Sequence, residues 1–293
     1  MRLQRLPFLL VAIAQVSAQN PSPMSDSTRP HTRVERYEPP GRRAALSLGT
    51  LYVPAAFDAA KPFPLIVHFH GAAWVLEHHA REHLPQAVLV SVQIGSGSRV
   101  YADAFADSAR FSALLTEISS KLRELTGRAA TPESIVLSSF SAGYGAIRSI
   151  LARPDHFRRI DAVILADSLH ASYAGDAAAP RASDLPLDES VLEPFFRFAE
   201  EAAAGRKRMW VTHSEVYPGT YASTTETADA LLRRLSLPRR AILKAGPVGM
   251  QQLSEATRAN FHLAGYAGNS APDHMDHLYA LGDLLAEIAG GKS

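Results

Sequence analysis

The feature that most constrains the fold of this chain is a serine pentapeptide placed between a strand pattern and a helix pattern. A short apolar run ends at Ser138, and residues 142–153 then follow a helical pattern. The residues at the break are Ser139-Phe140-Ser141-Ala142-Gly143. A serine on a sharp strand-to-helix turn needs small residues two positions before and after it, and Ser139 and Gly143 meet that need. Such a turn would lift the Ser141 hydroxyl above the sheet, at the N-terminus of a helix that favours negative charge.

Strand-like and helix-like segments alternate over the rest of the chain. That order is typical of βαβ units and predicts a mainly parallel sheet flanked by helices. The predicted strands are residues 45–53, 65–70, 87–92, 134–138, 162–166, 209–212 and 261–265, and the predicted helices are residues 111–125, 142–153, 224–235 and 275–288. A long segment separates His170 from Gly205, and long insertions in compact domains are usually functional. We expect a cap-like insertion at about residues 171–205.

The N-terminus has the pattern of a signal peptide. Arg2 and Arg5 precede an apolar run over residues 6–14, and small residues then suit cleavage after Ala18. An uncleaved anchor is the alternative. We expect a secreted or periplasmic protein with no stable membrane insertion after cleavage.

The domain organisation expected behind this segment is simple. Residues 19–40 are rich in Pro, Ser, Thr and Arg, which predicts a linker or extended lead-in. Residues 41–293 are expected to form one domain, because a chain of 293 residues suits a single large α/β domain.

Composition argues against several other chemistries. The chain has no cysteine, which excludes disulfides, thiolate metal sites and a cysteine nucleophile. Its 30 basic and 29 acidic residues give a net charge of +1; removing residues 1–18 takes away two arginines, which leaves 28 against 29, or −1. This balance offers no electrostatic reason to expect nucleic acid or an anionic membrane as a partner.

A second motif follows the end of an earlier predicted strand and reads His68-Phe69-His70-Gly71-Ala72-Ala73-Trp74. Acyl transfer passes through a tetrahedral oxyanion that needs preorganised hydrogen-bond donors. The backbone N–H of Ala142 would be one donor, and the small residues after Gly71 allow Ala72 or Ala73 to supply the other. His70 and Trp74 are candidate substrate-pocket residues beside this turn.

These two segments together resemble the α/β-hydrolase superfamily, from about Leu46 to Ile288. The resemblance implies an α/β-hydrolase fold, with a mainly parallel central sheet flanked by helices and a cap-like insertion. It also implies a catalytic triad in the chain order serine, acid, histidine. Ser139 stands where glycine is usual in that superfamily, and serine is also small.

The histidine of such a triad is expected after the last strand, where the sequence reads Asp273-His274-Met275-Asp276-His277. We favour His274 as the base because it lies at the start of the predicted helix, with His277 as the alternative. For the acid we favour Asp167, which follows the strand 162–166. Glu215 is the alternative; it follows the next strand, the commoner position of the acid in this superfamily, but three residues past the strand end.

These residues predict a serine hydrolase that cleaves a carboxylic ester, or a related acyl bond, through an acyl-enzyme on Ser141. Its substrate would be a small-molecule or polymer-borne ester, and the reaction needs no cofactor and no metal. One alternative is a non-catalytic binding protein of the same fold. A weaker alternative is a zinc metallohydrolase, because His79, Glu82 and His83 match an H-x-x-E-H motif. Pro85 leaves little helix for that motif, and no third ligand stands out.

Overall fold

The computed structural model describes residues 29–175 and 185–290, without the side chains of residues 80–82 and 288–290. The predicted signal peptide, residues 1–18, and the first part of the lead-in lie outside the described residues. Within the described ranges, no helix combines the length and the apolar character that a membrane span requires.

The described residues form one mixed sheet with helices on both faces. The strands are β1 (Gly41–Ala45), β2 (Thr50–Pro54), β3 (Pro64–Phe69), β4 (Val88–Val92), β5 (Ser134–Phe140), β6 (Ala162–Ala166), β7 (Arg208–His213), β8 (Arg240–Ala245), β9 (Gln251–Arg258) and β10 (Phe261–Tyr266). The helices are α1 (Ala73–His83), α2 (Ser98–Ala104), α3 (Ser108–Thr126), α4 (Tyr144–Leu151), α5 (Pro154–Arg159), α6 (Glu193–Ala203), α7 (Thr224–Leu235), α8 (Ala271–Tyr279) and α9 (Leu281–Gly290).

The strand order across the sheet is β1-β2-β4-β3-β5-β6-β7-β10-β9-β8. The central block from β4 to β10 is parallel, whereas β1, β2, β8 and β9 pair antiparallel at the two edges. This confirms the prediction of a mainly parallel sheet. Because the carboxyl ends of parallel strands meet at one edge, the residues that follow β3, β5, β6 and β10 converge there.

The core has two layers, one on each face of the sheet. Successive residues of a strand point to opposite faces, so Val136 of β5 packs with Leu76 of α1 and Leu285 of α9. Its neighbour Leu137 packs on the other face in the larger layer, to which α3, α4, α6 and α7 contribute. Helices on both faces explain why the central strands read as continuous apolar runs.

Several regions differ from the sequence prediction. The segment predicted as one strand, residues 45–53, contains the last residue of β1, a turn and most of β2, which pairs with β1 as a hairpin; Gly49 closes the turn at φ +98°. The helix predicted over residues 275–288 is two helices, α8 and α9, that meet at Ala280. The antiparallel β8–β9 pair was not predicted, because its strands carry few buried apolar residues.

The predicted cap-like insertion, residues 171–205, needs a correction to its boundary. Phe195, Phe196 and Phe198 of α6 are buried in the main core, because α6 is the crossover helix that parallel strands β6 and β7 require. Only residues 171–192 precede it, with one isolated bridge between Tyr173 and Leu187. Residues 176–184 lie outside the described part of the chain.

Candidate active site

The turn between β5 and α4 has the geometry of a nucleophile elbow. Ser141 adopts φ +48°, in the left-handed region that a non-glycine residue rarely occupies. A Cβ at Gly143 would lie 2.1 Å from the carbonyl oxygen of Phe69, and one at Gly145 would lie 2.1 Å from that of Ser98. Only glycine fits at these two positions, so the elbow packs directly against the end of β3.

Two buried serines hold this elbow from below. The Ser168 hydroxyl donates to the carbonyl oxygen of Ser141 at 2.8 Å. Because that hydroxyl has a single proton, the 2.7 Å contact between the Oγ atoms of Ser139 and Ser168 is a hydrogen bond donated by Ser139. Ser139 is therefore more than a small residue, since its hydroxyl links β5 to the residues that follow β6.

Asp167 occupies the position next to Ser141 at the carboxyl edge of the sheet. Phe140 pairs with Ala166 in the parallel register of β5 and β6, so Ser141 and Asp167 are the next residues of neighbouring strands. Asp167 also has a left-handed backbone, with φ +44°. Both strands therefore turn sharply at the same level of the sheet.

The Asp167 carboxylate is buried, with 1 % of its side chain exposed, and accepts four hydrogen bonds. Ser214 donates its N–H at 2.9 Å and its hydroxyl at 2.7 Å. The Thr224 hydroxyl donates to the same oxygen as the Ser214 N–H. The fourth donor is His274, whose Nδ1 lies 2.6 Å from Oδ2 of Asp167.

These contacts set the protonation state of Asp167. Burial alone would raise its pKa, but the neighbouring histidines His277 and His274 and the Thr224 hydroxyl hold the pKa of Asp167 well below its ordinary value. The donors from Ser214 and Thr224 act whether or not His277 carries a proton, so the carboxylate stays ionised.

His274 lies in the first turn of α8, over the elbow. Its ring stacks on Phe140 with centroids 4.5 Å apart and an angle of 29° between the planes. A carboxylate can only accept, so Nδ1–H of His274 donates to Asp167 and leaves Nε2 as the basic nitrogen. The His274 side chain is 24 % exposed, which leaves it accessible to solvent at the carboxyl edge of the sheet.

The two alternative residues have other surroundings. His277 is buried, and its Nδ1 lies 2.8 Å from Oγ1 of Thr212, which itself accepts the N–H of Asp167 at 3.2 Å. Burial lowers the pKa of His277. Glu215 is exposed, and its Oε2 accepts the N–H of Gly268 at 3.1 Å. The structure brings together Asp167 and His274, whereas Glu215 links two loops.

The predicted oxyanion loop lies against the elbow. Gly71 adopts φ +136° and donates its N–H to Oε1 of Gln93 at 2.7 Å. The N–H groups of Ala72 and Ala73 then lie at the N-terminus of α1, where helix geometry supplies no carbonyl partner. Ala142 is on the same side, because the elbow that contains it contacts the end of the strand that leads into this loop.

The two predicted pocket residues lie beside Phe140. The ring of His70 is parallel to that of Phe140 at 6.1 Å, and its Nδ1 lies 3.0 Å from the Tyr101 hydroxyl. Burial lowers the pKa of His70. Trp74 is partly buried against Phe140 and Leu278. Both side chains therefore lie beside the elbow at the carboxyl edge of the sheet.

Several residues at this edge were missed by sequence reasoning. Nδ1 of His170 donates a hydrogen bond to the carbonyl oxygen of Ala222 at 3.0 Å, because that oxygen can only accept. The His170 ring packs against the rings of Tyr221 and Tyr144, with centroid distances of 5.1 and 5.7 Å. The position of His170 just after a strand end could have indicated a site residue. No sequence signal identifies Tyr221, or Ser214 and Thr224 as donors to the acid.

The zinc motif lies on α1, a helix of 11 residues that ends at His83, so the expectation that Pro85 leaves little helix there is wrong. His79 and His83 lie at the interface of α1 with α9. A Cβ at Gly282 of α9 would be 2.6 Å from Nδ1 of His79 and 3.0 Å from Cδ2 of His83. Burial, with His78 and His83, lowers the pKa of His79 to about 4. The Glu82 side chain is outside the described part of the chain. In that part, the ligand-type group found within 4.8 Å comprises His31, Asp273 and Asp276, and it excludes the motif histidines.

The sheet, the elbow and the loop after β3 together define an α/β-hydrolase fold. Among solved structures, the enterobactin esterase of Shigella flexneri matches with a TM-score of 0.51 and 14% identity, over 88% of this chain and 62% of that chain. The ferric enterobactin esterase of Salmonella typhimurium matches with a TM-score of 0.49 and 12% identity, over 86% and 61% of the two chains. A carboxylesterase of Bacillus subtilis matches with a TM-score of 0.44 and 10% identity, over 88% and 93%.

The likeness to the Shigella flexneri structure, at 14% identity, shows the fold alone, and function needs its own argument from the site. This chain spans 61% and 62% of the lengths of the two enterobactin esterases. No protein-family model matches the sequence, and no curated protein matches it.

Proposed function

We propose that this protein is a serine hydrolase that cleaves a carboxylic ester, or a related acyl bond, through an acyl-enzyme on Ser141. The observation that carries the proposal is the hydrogen bond between Asp167 and His274, with the His274 ring stacked on the residue that precedes Ser141. A base oriented by a buried carboxylate, beside a serine on a strained turn, is the arrangement that activates a hydroxyl for acyl transfer.

In the first step, Nε2 of His274 takes the hydroxyl proton as Oγ of Ser141 attacks the carbonyl carbon. The imidazolium that forms is stabilised by the ionised Asp167. The tetrahedral intermediate collapses, the proton passes from His274 to the departing alkoxide, and the alcohol leaves. Water then repeats the sequence on the acyl-enzyme, with His274 again as base, and releases the acid.

The oxyanion of both intermediates would be held by backbone N–H groups. Ala142 supplies one from the start of the turn into α4, and Ala72 or Ala73 supplies the other from the N-terminus of α1. Backbone N–H groups that already point at the developing negative charge of the oxyanion lower the activation barrier, because no side chain has to reorganise. The mechanism routes no step through a metal or cofactor.

The surroundings of the site support a small-molecule or polymer-borne ester as substrate. Aromatic and imidazole rings lie around the carboxyl edge of the sheet, namely those of His70, Trp74, His170 and Tyr221. The occurrence of the same fold in an esterase of Shigella flexneri also agrees with acyl-bond hydrolysis. The signal-peptide pattern at residues 1–18 leads us to propose that the protein works in the periplasm or outside the cell.

The test compares the wild type with Ser141→Ala, and with Ser119→Ala as a control at an exposed serine of α3. We expect Ser141→Ala to lose hydrolysis of short p-nitrophenyl esters by several orders of magnitude, and to lose labelling by a fluorophosphonate probe. The control should behave as the wild type. EDTA should leave the activity of the wild type unchanged. Peptide mapping of the label would identify the reactive residue.

Three outcomes would count against this proposal. Activity retained by Ser141→Ala excludes Ser141 as the nucleophile. Activity lost with EDTA and restored by zinc favours the metallohydrolase alternative. A folded wild type that neither reacts with the probe nor hydrolyses esters favours a binding protein.

A further inference from the structure

A short segment before the domain, here called the arm, residues Arg29–Arg33, is bound to the helix that contains His274. Nη2 of Arg29 donates to Oδ1 of Asp273 at 2.9 Å and also to Oδ2 of Asp276. Nδ1 of His31 lies 2.7 Å from Oδ2 of Asp276. Nη1 of Arg33 donates to Oδ1 of Asp276 at 2.9 Å. Three side chains of the arm thus converge on two carboxylates of α8.

The burial of these groups shows that the contact is part of the folded structure. The Asp276 side chain is fully buried and that of Asp273 is 8 % exposed, while Arg29 is 22 % exposed. A buried carboxylate is costly unless cationic or hydrogen-bonding groups compensate it. Asp273 also accepts from Ser270, the N-cap of α8. Among the described residues, the three ion-pair partners of Asp276 all belong to the arm.

The geometry of α8 connects the arm to the active site. Residues three apart lie on the same face of a helix, so Asp273 and Asp276 share one face, and His274 and His277 share another. The arm binds the first face. The second face contacts Asp167 through His274 and Thr212 through His277. A rotation of α8 about its axis would break the contacts on both faces together.

A cation would compete for atoms that the arm already uses. His31, Asp273 and Asp276 present ligand atoms within 4.8 Å of one another. However, Arg29 and Arg33 donate to the same carboxylates, and two guanidinium groups at this distance repel a metal ion. The charges here favour an internal docking site for the arm.

We propose that the arm positions the base: by neutralising Asp273 and Asp276, it fixes the rotation of α8 that keeps His274 on Asp167 and stacked on Phe140, the residue before Ser141. Arg33 adds a contact further along the helix, because its guanidinium lies 5.3 Å from the centroid of the Tyr279 ring. This inference rests on the proposed catalytic function of His274. It makes Arg29, His31 and Arg33 positioning residues, since they act through α8 and do not touch the reacting atoms.

The experiment uses the full chain and compares Arg29→Gln, Arg29→Lys and Arg33→Gln with the control Arg36→Gln. Arg36 is 72 % exposed and pairs with Glu38 within the lead-in. For Arg29→Gln we expect kcat on a short p-nitrophenyl ester to fall about 10- to 100-fold with KM within about twofold, because a small misplacement of the base affects the chemical step. Arg29→Lys should recover part of kcat, and Arg33→Gln should lose less than Arg29→Gln.

A second measurement separates positioning from loss of fold. The rate of Ser141 labelling by a fluorophosphonate should fall with kcat while circular dichroism stays that of the wild type. Millimolar guanidinium should partly restore the labelling rate of Arg29→Ala, since it can occupy the position of the missing side chain. If Arg29 variants do not fold, Arg33→Gln provides the same comparison through a more exposed side chain, 43 % exposed.

The outcomes distinguish this inference from the proposed function. If the folded Arg29 and Arg33 variants match Arg36→Gln in kcat and in labelling rate, the arm does not position the base. The proposed hydrolase function would still be supported if the activity of the wild type depends on Ser141. If Ser141→Ala keeps full activity, the proposed function fails and the arm inference fails with it.

Discussion

His274 and His277 lie one turn apart on α8 and have the same chemistry, yet their surroundings differ. The His274 side chain is 24 % exposed, contacts the Asp167 carboxylate and lies over the elbow. His277 is 1 % exposed and contacts the Thr212 hydroxyl beneath the edge of the sheet. Only His274 combines an ionised partner with access from the catalytic edge, which are the two properties that a general base needs.

The comparison shows that one histidine can support the partner of the other. Thr212 accepts the backbone N–H of Asp167, and His277 lies on the same hydroxyl. His277 therefore packs behind Asp167 while His274 lies in front of it. The sequence favoured His274 only by its position at the start of the helix, whereas the hydrogen-bond partners of the two histidines separate them clearly.

The largest effect is expected for His274→Ala. Loss of the base should lower kcat/KM on short esters by about 10⁴-fold or more, close to the loss in Ser141→Ala, because triad members act as a unit. Steady-state kinetics on the single variants and on the double variant would check this. A double variant far weaker than either single one would show that the two residues act independently.

The second effect concerns the partner of His274. Asp167→Asn should lower kcat by roughly 10³- to 10⁴-fold, because the amide can donate to Nδ1 and so favours the wrong tautomer of the ring. The pH profile of kcat/KM, together with a thermal melt, would report the change. Near-normal activity in a folded Asp167→Asn protein would exclude it as the acid.

A smaller effect on activity, with a clear effect on stability, is expected for His277→Gln. Activity should fall only a few-fold, while the free energy of unfolding should drop by about 1–3 kcal/mol because Thr212 loses its buried partner. Activity loss as large as that of His274→Ala would reverse the roles of the two histidines.

The pH dependence of that stability follows from the lowered pKa of His277. The unfolded histidine, with its ordinary pKa of 6.5, takes up a proton more readily than the buried one. The stabilisation from neutral His277 is therefore complete above pH 6.5 and declines as the pH falls toward the lowered pKa of the folded state. Urea unfolding of wild type and His277→Gln from pH 8 to 5 should show a difference that shrinks with acidification.

The smallest effect is expected for Glu215→Gln. Its carboxylate accepts a hydrogen bond from the exposed Gly268 N–H, and an amide oxygen can do the same. We expect kcat and KM within about twofold of the wild type, as for other surface substitutions. A loss that approaches that of Asp167→Asn would show that Glu215 moves to the base during the reaction.

The elbow and the turn after β3 could be located from the sequence because their backbone requirements are local. Ser141 needs small neighbours within two residues, between a strand and a helix, and Gly143 meets a steric limit set by the backbone of Phe69. The parallel direction of the central strands could also be predicted, because continuous apolar runs between helical patterns are typical of buried parallel strands. The hairpin at Gly49 and the division of residues 171–205 were not, because they depend on edge pairing and on which helix covers the sheet.

What only the tertiary structure decided is how distant side chains combine. The sequence offered two acids and two histidines in adequate positions, and contact between Asp167 and His274, separated by 107 positions, depends on the order of β6, β7 and β10 in the sheet. The docking of Arg29 on Asp276, separated by 247 positions, left no local pattern at all. Backbone requirements are encoded in consecutive residues, whereas charge pairing depends on distances that exist only once the chain has folded.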